Sequence, residues 1–220
     1  MTVTKEQVEA GQAAYTPRML GFYDFLILKV IVPYIWRCPI KYPLRLYREH
    51  LSSNHLEIGV GSGYFLDSSK FPTDNPRLAL MDLNPNSLKF TAERVSHYKP
   101  ELYTANVLDP IEEKIEKFDS IAINAVIHCL PGTIETKLAV FDNIKPLLNP
   151  GGIIFGSTIL NIGVEQNWLT KKFMKRFNEN KVFCNLEDDL ETLKVGLNKR
   201  FSDIEVNVIG TAALFTTKNN

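Results

Sequence analysis

Residues 56–63 read Leu-Glu-Ile-Gly-Val-Gly-Ser-Gly, and an apolar segment closing on Asp82 follows about twenty residues later. Glycines at 59, 61 and 63 let a backbone turn pass close to a nucleotide-like ligand. A carboxylate ending the next strand accepts hydrogen bonds from both hydroxyls of a ribose. Together they predict an adenosine-type ligand held by Glu57, Gly59, Gly61, Gly63 and Asp82. A dinucleotide fingerprint leaves two residues between its second and third glycines, which here requires glycine where Tyr64 stands. That bulk argues against a pyrophosphate at the helix N-terminus, and so against a nicotinamide oxidoreductase. Farther along, Asn124-Ala125-Val126-Ile127-His128-Cys129-Leu130-Pro131-Gly132 offers one imidazole, His128, whose ordinary pKa of about 6.5 suits removal of a proton from a hydroxyl or enol. The same residue equally fits a spacer that only touches the ligand. Cys129 reads as a small buried hydrophobe.

These residues need a scaffold that brings strand ends together. Short apolar segments alternate with helical patterns from residue 54 to 160, which predicts a doubly wound α/β fold with a mostly parallel seven-stranded sheet. Strands are expected at 54–58, 77–81, 101–105, 120–124 and 153–158. Asn84-Pro85 reads as an N-cap with proline at the first helical position, and Leu88, Ala92 and Val95 form one apolar helix face. Ile134, Leu138, Phe141, Ile144 and Leu148 predict a single helix ended by Asn149-Pro150-Gly151-Gly152. Helices at 167–180 and 189–200 and an antiparallel hairpin, 204–209 with 212–217, complete the pattern. The chain reads as one domain: an N-terminal helical lid segment (1–50), a ligand-binding core (51–160), a helical insertion on the substrate side (161–200) and a closing hairpin (201–220).

A chain of 220 residues is long enough for a substantial core, and 25 basic against 25 acidic residues leave no net charge to attract nucleic acid. A small or apolar partner is expected. Cys38, Cys129 and Cys184 are odd in number and far apart, which predicts a reducing compartment and no structural zinc. No basic-then-apolar leader opens the chain, and a cytoplasmic location is expected. The most apolar stretch, residues 19–36, carries Asp24, Lys29 and Pro33. Such charges cost roughly 2.5–3.5 kcal/mol each at a bilayer centre, so a buried or lid helix is expected there rather than a span. Lys171, Lys172, Lys175 and Arg176 share a helix with Phe173 and Phe177, a solvated face in one reading and an anionic-substrate or peripheral membrane contact in the other.

S-adenosylmethionine has no phosphate. It needs room for an amino-acid moiety, a partner for its ammonium and a diol acceptor, the list that Glu57, the three glycines and Asp82 supply. Here the chain resembles the class I S-adenosylmethionine-dependent methyltransferases, whose first motif is an acidic residue followed by Gly-x-Gly-x-Gly. It is most similar to the small-molecule branch of bacterial and fungal secondary metabolism. The resemblance covers residues 54–160. It implies that Glu57 orients the methionine ammonium, Asp82 binds the ribose hydroxyls and Leu83 packs beside the adenine. Where the family often has an acidic residue for the adenine amino group, Asn106 stands, able to accept through its side-chain oxygen. Val107 is its backbone neighbour and Asp109 its competitor. Asn124 opens the segment that passes under the methionine moiety. No metal is implied, and nothing matches the Asn-Pro-Pro-Tyr signature of nucleic-acid amino-methyltransferases.

The implied activity is methyl transfer to a small organic acceptor by in-line displacement, to which positioning contributes roughly 7–11 kcal/mol. A phenol, enol or acidic carbon would call on His128 as base; a carboxylate or thiolate would need none. The alternatives are a cofactor-binding regulator, partner subunit or non-methylating catalyst, and a lipid or quinone methyltransferase. Tyr15, Tyr23 and Trp168 are the aromatic residues expected to close over the ligand, each worth roughly 0.5–2 kcal/mol against a sulfonium. Core or interface packing is the other reading of each.

Overall fold

The computed structural model describes residues 24–111 and 114–219. Strands β1 (Asn54–Ile58), β2 (Arg77–Asp82), β3 (Glu101–Thr104), β4 (Phe118–Asn124), β5 (Leu148–Ile159), β6 (Asp203–Ile209) and β7 (Ala212–Lys218) form one sheet in the order β3-β2-β1-β4-β5-β7-β6. The first five are parallel, and β7 lies antiparallel between β5 and β6. This is the doubly wound, mostly parallel sheet that the alternating pattern predicts. Ile58 pairs with both Met81 and Ile123, so β1, β2 and β4 end at one level. From β1 the chain moves to β2 on one side and returns to β4 on the other, and that reversal opens a crevice at the carboxyl ends.

The central strands are near-continuous apolar runs because helices cover both faces. Leu56, Ile58 and Ile123 pack with Phe141 and Leu197 on one face, while Leu78, Leu80 and Phe155 pack with Tyr47 and Leu88 on the other. A π-helix, Asp24–Ile35, precedes α1 (Lys41–His50). Next come α2 (Tyr64–Asp67), α3 (Pro85–Arg94), α4 (Ile134–Lys137), α5 (Ala139–Ile144), α6 (Trp168–Glu179) and α7 (Leu190–Asn198). Asn84, Asn167 and Asp189 cap α3, α6 and α7, their side chains accepting the N–H groups of Asn86, Thr170 and Thr192.

The single helix expected from Ile134 to Leu148 does not form. Pro146 lies in a 3-10 turn, Lys145–Leu147, where its missing N–H and its ring stop the helix. Leu148 already pairs with Phe118, so β5 begins there and Asn149-Pro150-Gly151-Gly152 lies inside it. Gly151 N–H donates to Asn219 O at 2.7 Å, and Asn219 N–H to Gly152 O at 2.9 Å. The helical spacing continued to Leu148 because that residue is fully buried in either geometry.

In the apolar stretch, Leu28, Ile31 and Ile35 are buried while Phe25, Leu26 and Tyr34 are exposed. Among the described residues no helix is long and apolar enough to cross a membrane. The end of this segment is held by the hairpin tip: Trp36 O accepts Thr211 N–H at 3.0 Å and Thr211 Oγ1 at 3.1 Å. Gly210, at φ +60°, permits the approach, since a Cβ there would lie 2.3 Å from Trp36 O.

Lys137 and Asp188 are fully buried together. Lys137 Nζ donates to both carboxylate oxygens at 2.7 Å and to Cys184 O at 2.5 Å. Asp188 O in turn accepts the N–H groups of Asn161 and Ile162 at 3.1 Å. The pair pins the segment before α7 to α4. Losing one partner leaves the other charge buried and uncompensated, so Lys137→Met is expected to cost about 3–5 kcal/mol. Urea unfolding of this variant, beside Lys137→Met combined with Asp188→Leu, checks it: the double replacement should recover most of the loss.

Candidate active site

β1 carries Glu57 into the crevice at 4% exposure. A carboxylate there must be met by donors. Tyr47 Oη donates to Glu57 Oε1 at 2.5 Å, and His55 Nε2 lies 3.2 Å from Oε2. Burial, with the nearby Glu57, pushes the Tyr47 phenol well above its usual range, so it stays a donor. His55 Nδ1 is 2.8 Å from Ser120 Oγ, itself 2.7 Å from Ser52 Oγ. Each Glu57 oxygen has one internal partner and keeps acceptor capacity for a cation.

The turn that follows has positive φ at Gly59, Gly61 and Gly63. A Cβ on Gly59 would lie 2.2 Å from Val126 Cγ2, whereas beside Gly61 nothing lies within 4 Å, and both residues line a cavity. At the end of β2, Asn84 N–H donates to Asp82 Oδ1 at 2.8 Å. Burial pushes the Asp82 carboxyl up to about 6, against the downward pull of the N–H groups of Asn84, Val60, Gly61 and Leu83. A buried carboxylate beside an open glycine turn fits a ribose diol, and Glu57 fits an ammonium.

Leu83, Asn106, Val107 and Asn124 join Glu57, the glycines and Asp82 around this cavity of about 600 Å³. Asn106 Oδ1 accepts Leu108 N–H at 3.1 Å, while its amide donates to Asp109 Oδ2 at 2.8 Å. Asp109 therefore steadies Asn106 and is not itself part of the wall. Asn124 Oδ1 accepts Ser157 Oγ at 2.5 Å. His128 reaches the cavity from the turn after β4. Its Nδ1 accepts Ile159 N–H at 3.1 Å, and its ring stands edge-on to Phe183 at 4.4 Å. Burial, with the nearby Lys137 charge, pushes the imidazole down to about 3. Trp168 is 73% exposed at the start of α6 and is not among the wall residues; Tyr15 and Tyr23 lie outside the described residues.

Three residues that motif reading passes over complete the site. Tyr47 and His55 hold Glu57, and His55 carried one signal, since alternate residues of a strand share a face. Asp24, noted only as a charge in an apolar stretch, accepts Ser62 Oγ at 2.5 Å and Arg94 at 2.6 Å. Arg94 also reaches Ser62 O at 3.0 Å and Asp67 at 2.9 Å. The π-helix is thereby fastened to the glycine turn.

A diol needs the ionised form of Asp82. Because the carboxyl titrates at about 6, affinity for an adenosine ligand should be flat above that pH and weaken as pH falls below it, approaching roughly tenfold per unit. Calorimetric titration with S-adenosylhomocysteine across this range checks the sign, and Asp82→Asn should remove this dependence.

Residues 56–154 match the family model described as a methyltransferase domain. The chain is 35% identical to demethylluteothin O-methyltransferase of Streptomyces thioluteus, over 96% of this chain and 91% of that protein. It is 34% identical to the physcion biosynthesis cluster O-methyltransferase of Aspergillus chevalieri, over 94% of each. Among solved structures, the N-methyltransferase NodS of Bradyrhizobium japonicum WM9, in complex with S-adenosyl-L-homocysteine, superposes with a TM-score of 0.54 at 19% identity. That match covers 81% of this chain and 83% of NodS. With the glycine turn, Glu57 and Asp82 gathered on one cavity, these relationships place the chain among the class I S-adenosylmethionine-dependent methyltransferases, in the small-molecule branch to which it belongs.

Proposed function

We propose that the chain transfers the methyl group of S-adenosylmethionine to an oxygen of a small, largely apolar organic acceptor, in a biosynthetic role like that of its secondary-metabolite relatives. One observation carries this reading. The cavity has a polar end, formed by Glu57, the glycine turn and Asp82, and an apolar end formed by Ile31, Val32, Phe177, Val182 and Phe183. No lysine or arginine lines it among the described residues, which disfavours a multiply charged, phosphorylated acceptor.

When bound, S-adenosylmethionine supplies a methyl carbon on positively charged sulfur. In this reading Glu57 takes the ammonium, Asp82 the ribose hydroxyls, Leu83 and Val107 the adenine faces, Asn106 the adenine amino group and Asn124 the methionine side. The π-helix, tied through Asp24 to Ser62 and Arg94, serves as a strap that excludes water. Alignment and water exclusion are then the main contributions of the protein.

Titration with S-adenosylhomocysteine, beside NADH and an Asp82→Ala variant, tests the cofactor assignment. The wild type should bind S-adenosylhomocysteine and not NADH. Loss of the diol acceptor should weaken binding by about 3 kcal/mol, roughly 100-fold. Transfer of labelled methyl to phenolic and enolic acceptors then tests the oxygen assignment; a folded protein that binds neither ligand would overturn the whole reading.

A further inference from the structure

One nitrogen of His128 is already committed. A backbone N–H only donates, so the bond from Ile159 N–H makes Nδ1 the acceptor and puts the proton of the neutral ring on Nε2. Thr158 Oγ1 lies 3.4 Å from the same nitrogen. Nε2 has no hydrogen-bond partner among the described residues, yet Ser69 Oγ is the one buried side-chain atom left unpartnered there. Nε2 therefore opens into the cavity that the ring lines.

The groups facing this imidazole leave it no route to a second proton at neutral pH. Lys137, from α4, opposes another positive charge, and its own charge is locked on Asp188. Cys129 beside the ring is pushed up to about 12 by burial, and the Cys184 thiol is raised as well. Elsewhere in the cavity Glu57 is held by Tyr47 and His55, Asp82 stands at the ribose position, and the Cys38 thiol is pushed up to about 12. Tyr64, which also lines the cavity, directly follows the glycine turn and so belongs to its polar end. Among the described residues, then, none on the acceptor side of the cavity is fitted to remove a proton from a neutral hydroxyl.

Resting on the methyltransferase reading above, we propose that His128 binds the acceptor as a fixed Nε2–H donor and does not deprotonate it. The acceptor is then an oxygen acid that arrives ionised, an enol or phenol made acidic by conjugation to a carbonyl. Such an anion spreads its charge over two oxygens, one to accept from Nε2–H and one to attack. The proton has gone to solvent before binding. As the new O–CH₃ bond forms and the C–S bond breaks, the anion and the sulfonium become two neutral molecules.

The experiment uses the full chain, first shown to bind S-adenosylhomocysteine so that failure of the cofactor reading is separated from failure of this one. 4-Hydroxycoumarin, an enol acid ionised at neutral pH, is compared with 1-naphthol, a phenol of matched shape that is not, and with benzyl alcohol. Methyl transfer should favour the enol by at least 10-fold in kcat/KM, and with S-adenosylmethionine saturating at every pH, so that the Asp82 carboxyl does not enter, the enol's pH profile should show no limb belonging to His128 near pH 6–7, taken as roughly the ordinary histidine range. His128→Leu should raise KM for the enol by roughly 10- to 100-fold, and His128→Gln, which keeps a donor, should restore most of it. Nitrogen NMR of the imidazole should report the Nε2–H tautomer, unchanged across the neutral range. Turnover of 1-naphthol equal to that of the enol, no turnover of the enol by a cofactor-binding protein, or a His128 titration between about pH 6 and 7 would each overturn the proposal.

Discussion

A carboxylate buried at the end of a central strand has to be solvated by the protein itself, because leaving it without donors costs several kcal/mol. Glu57 imposes that requirement on three separate parts of the chain. Tyr47 comes from α1, His55 from the same strand two residues earlier, and Ser120 of β4 with Ser52 stands behind His55. Tyr47 is also packed between Phe65, stacked at 5.2 Å, and Phe155, edge-on at 5.2 Å. Its hydroxyl is therefore aimed by aromatic packing as much as by the bond it makes. The glycine turn starts two residues beyond this anchored carboxylate, so the precision of the turn is inherited from the network beneath it.

Much of this was legible in the residues. The alternation of apolar runs and helical faces is a local pattern, and Asn84, Asn167 and Asp189 cap their helices as their side chains dictate. The glycine turn and Asp82 were legible because their chemistry depends on spacing along the chain. Tyr47 was not, because its partnership with Glu57 exists only once α1 lies against the sheet. The helix expected through Leu148 failed for a different reason: burial periodicity does not distinguish a helix from a strand that buries the same residue, and Pro146 decided between them.

The two ends of the cavity differ in the same way. Its polar end is written in strand termini, where one residue type at one position has one task. Its apolar end is gathered from the π-helix, from α6 and from the residues just after α6. No motif links those segments, so shape and hydrophobicity there emerge only from packing. His128 packs against Phe183 of the apolar end, and what its imidazole can do depends on the Ile159 N–H and on Lys137. Neither is visible from residue type alone.

The contact between Trp36 O and Thr211 joins residues 175 apart. During synthesis the strap emerges well before the hairpin tip that receives its end. Loop closure over so long a span is slow relative to local pairing, so the N-terminal segment must wait, with its apolar side chains uncovered, until the hairpin has added β7 to the sheet. Completion of the ligand cavity thus reports that the chain has been made and folded as far as the hairpin, and the apolar stretch that walls the cavity depends on protection from aggregation in the interval.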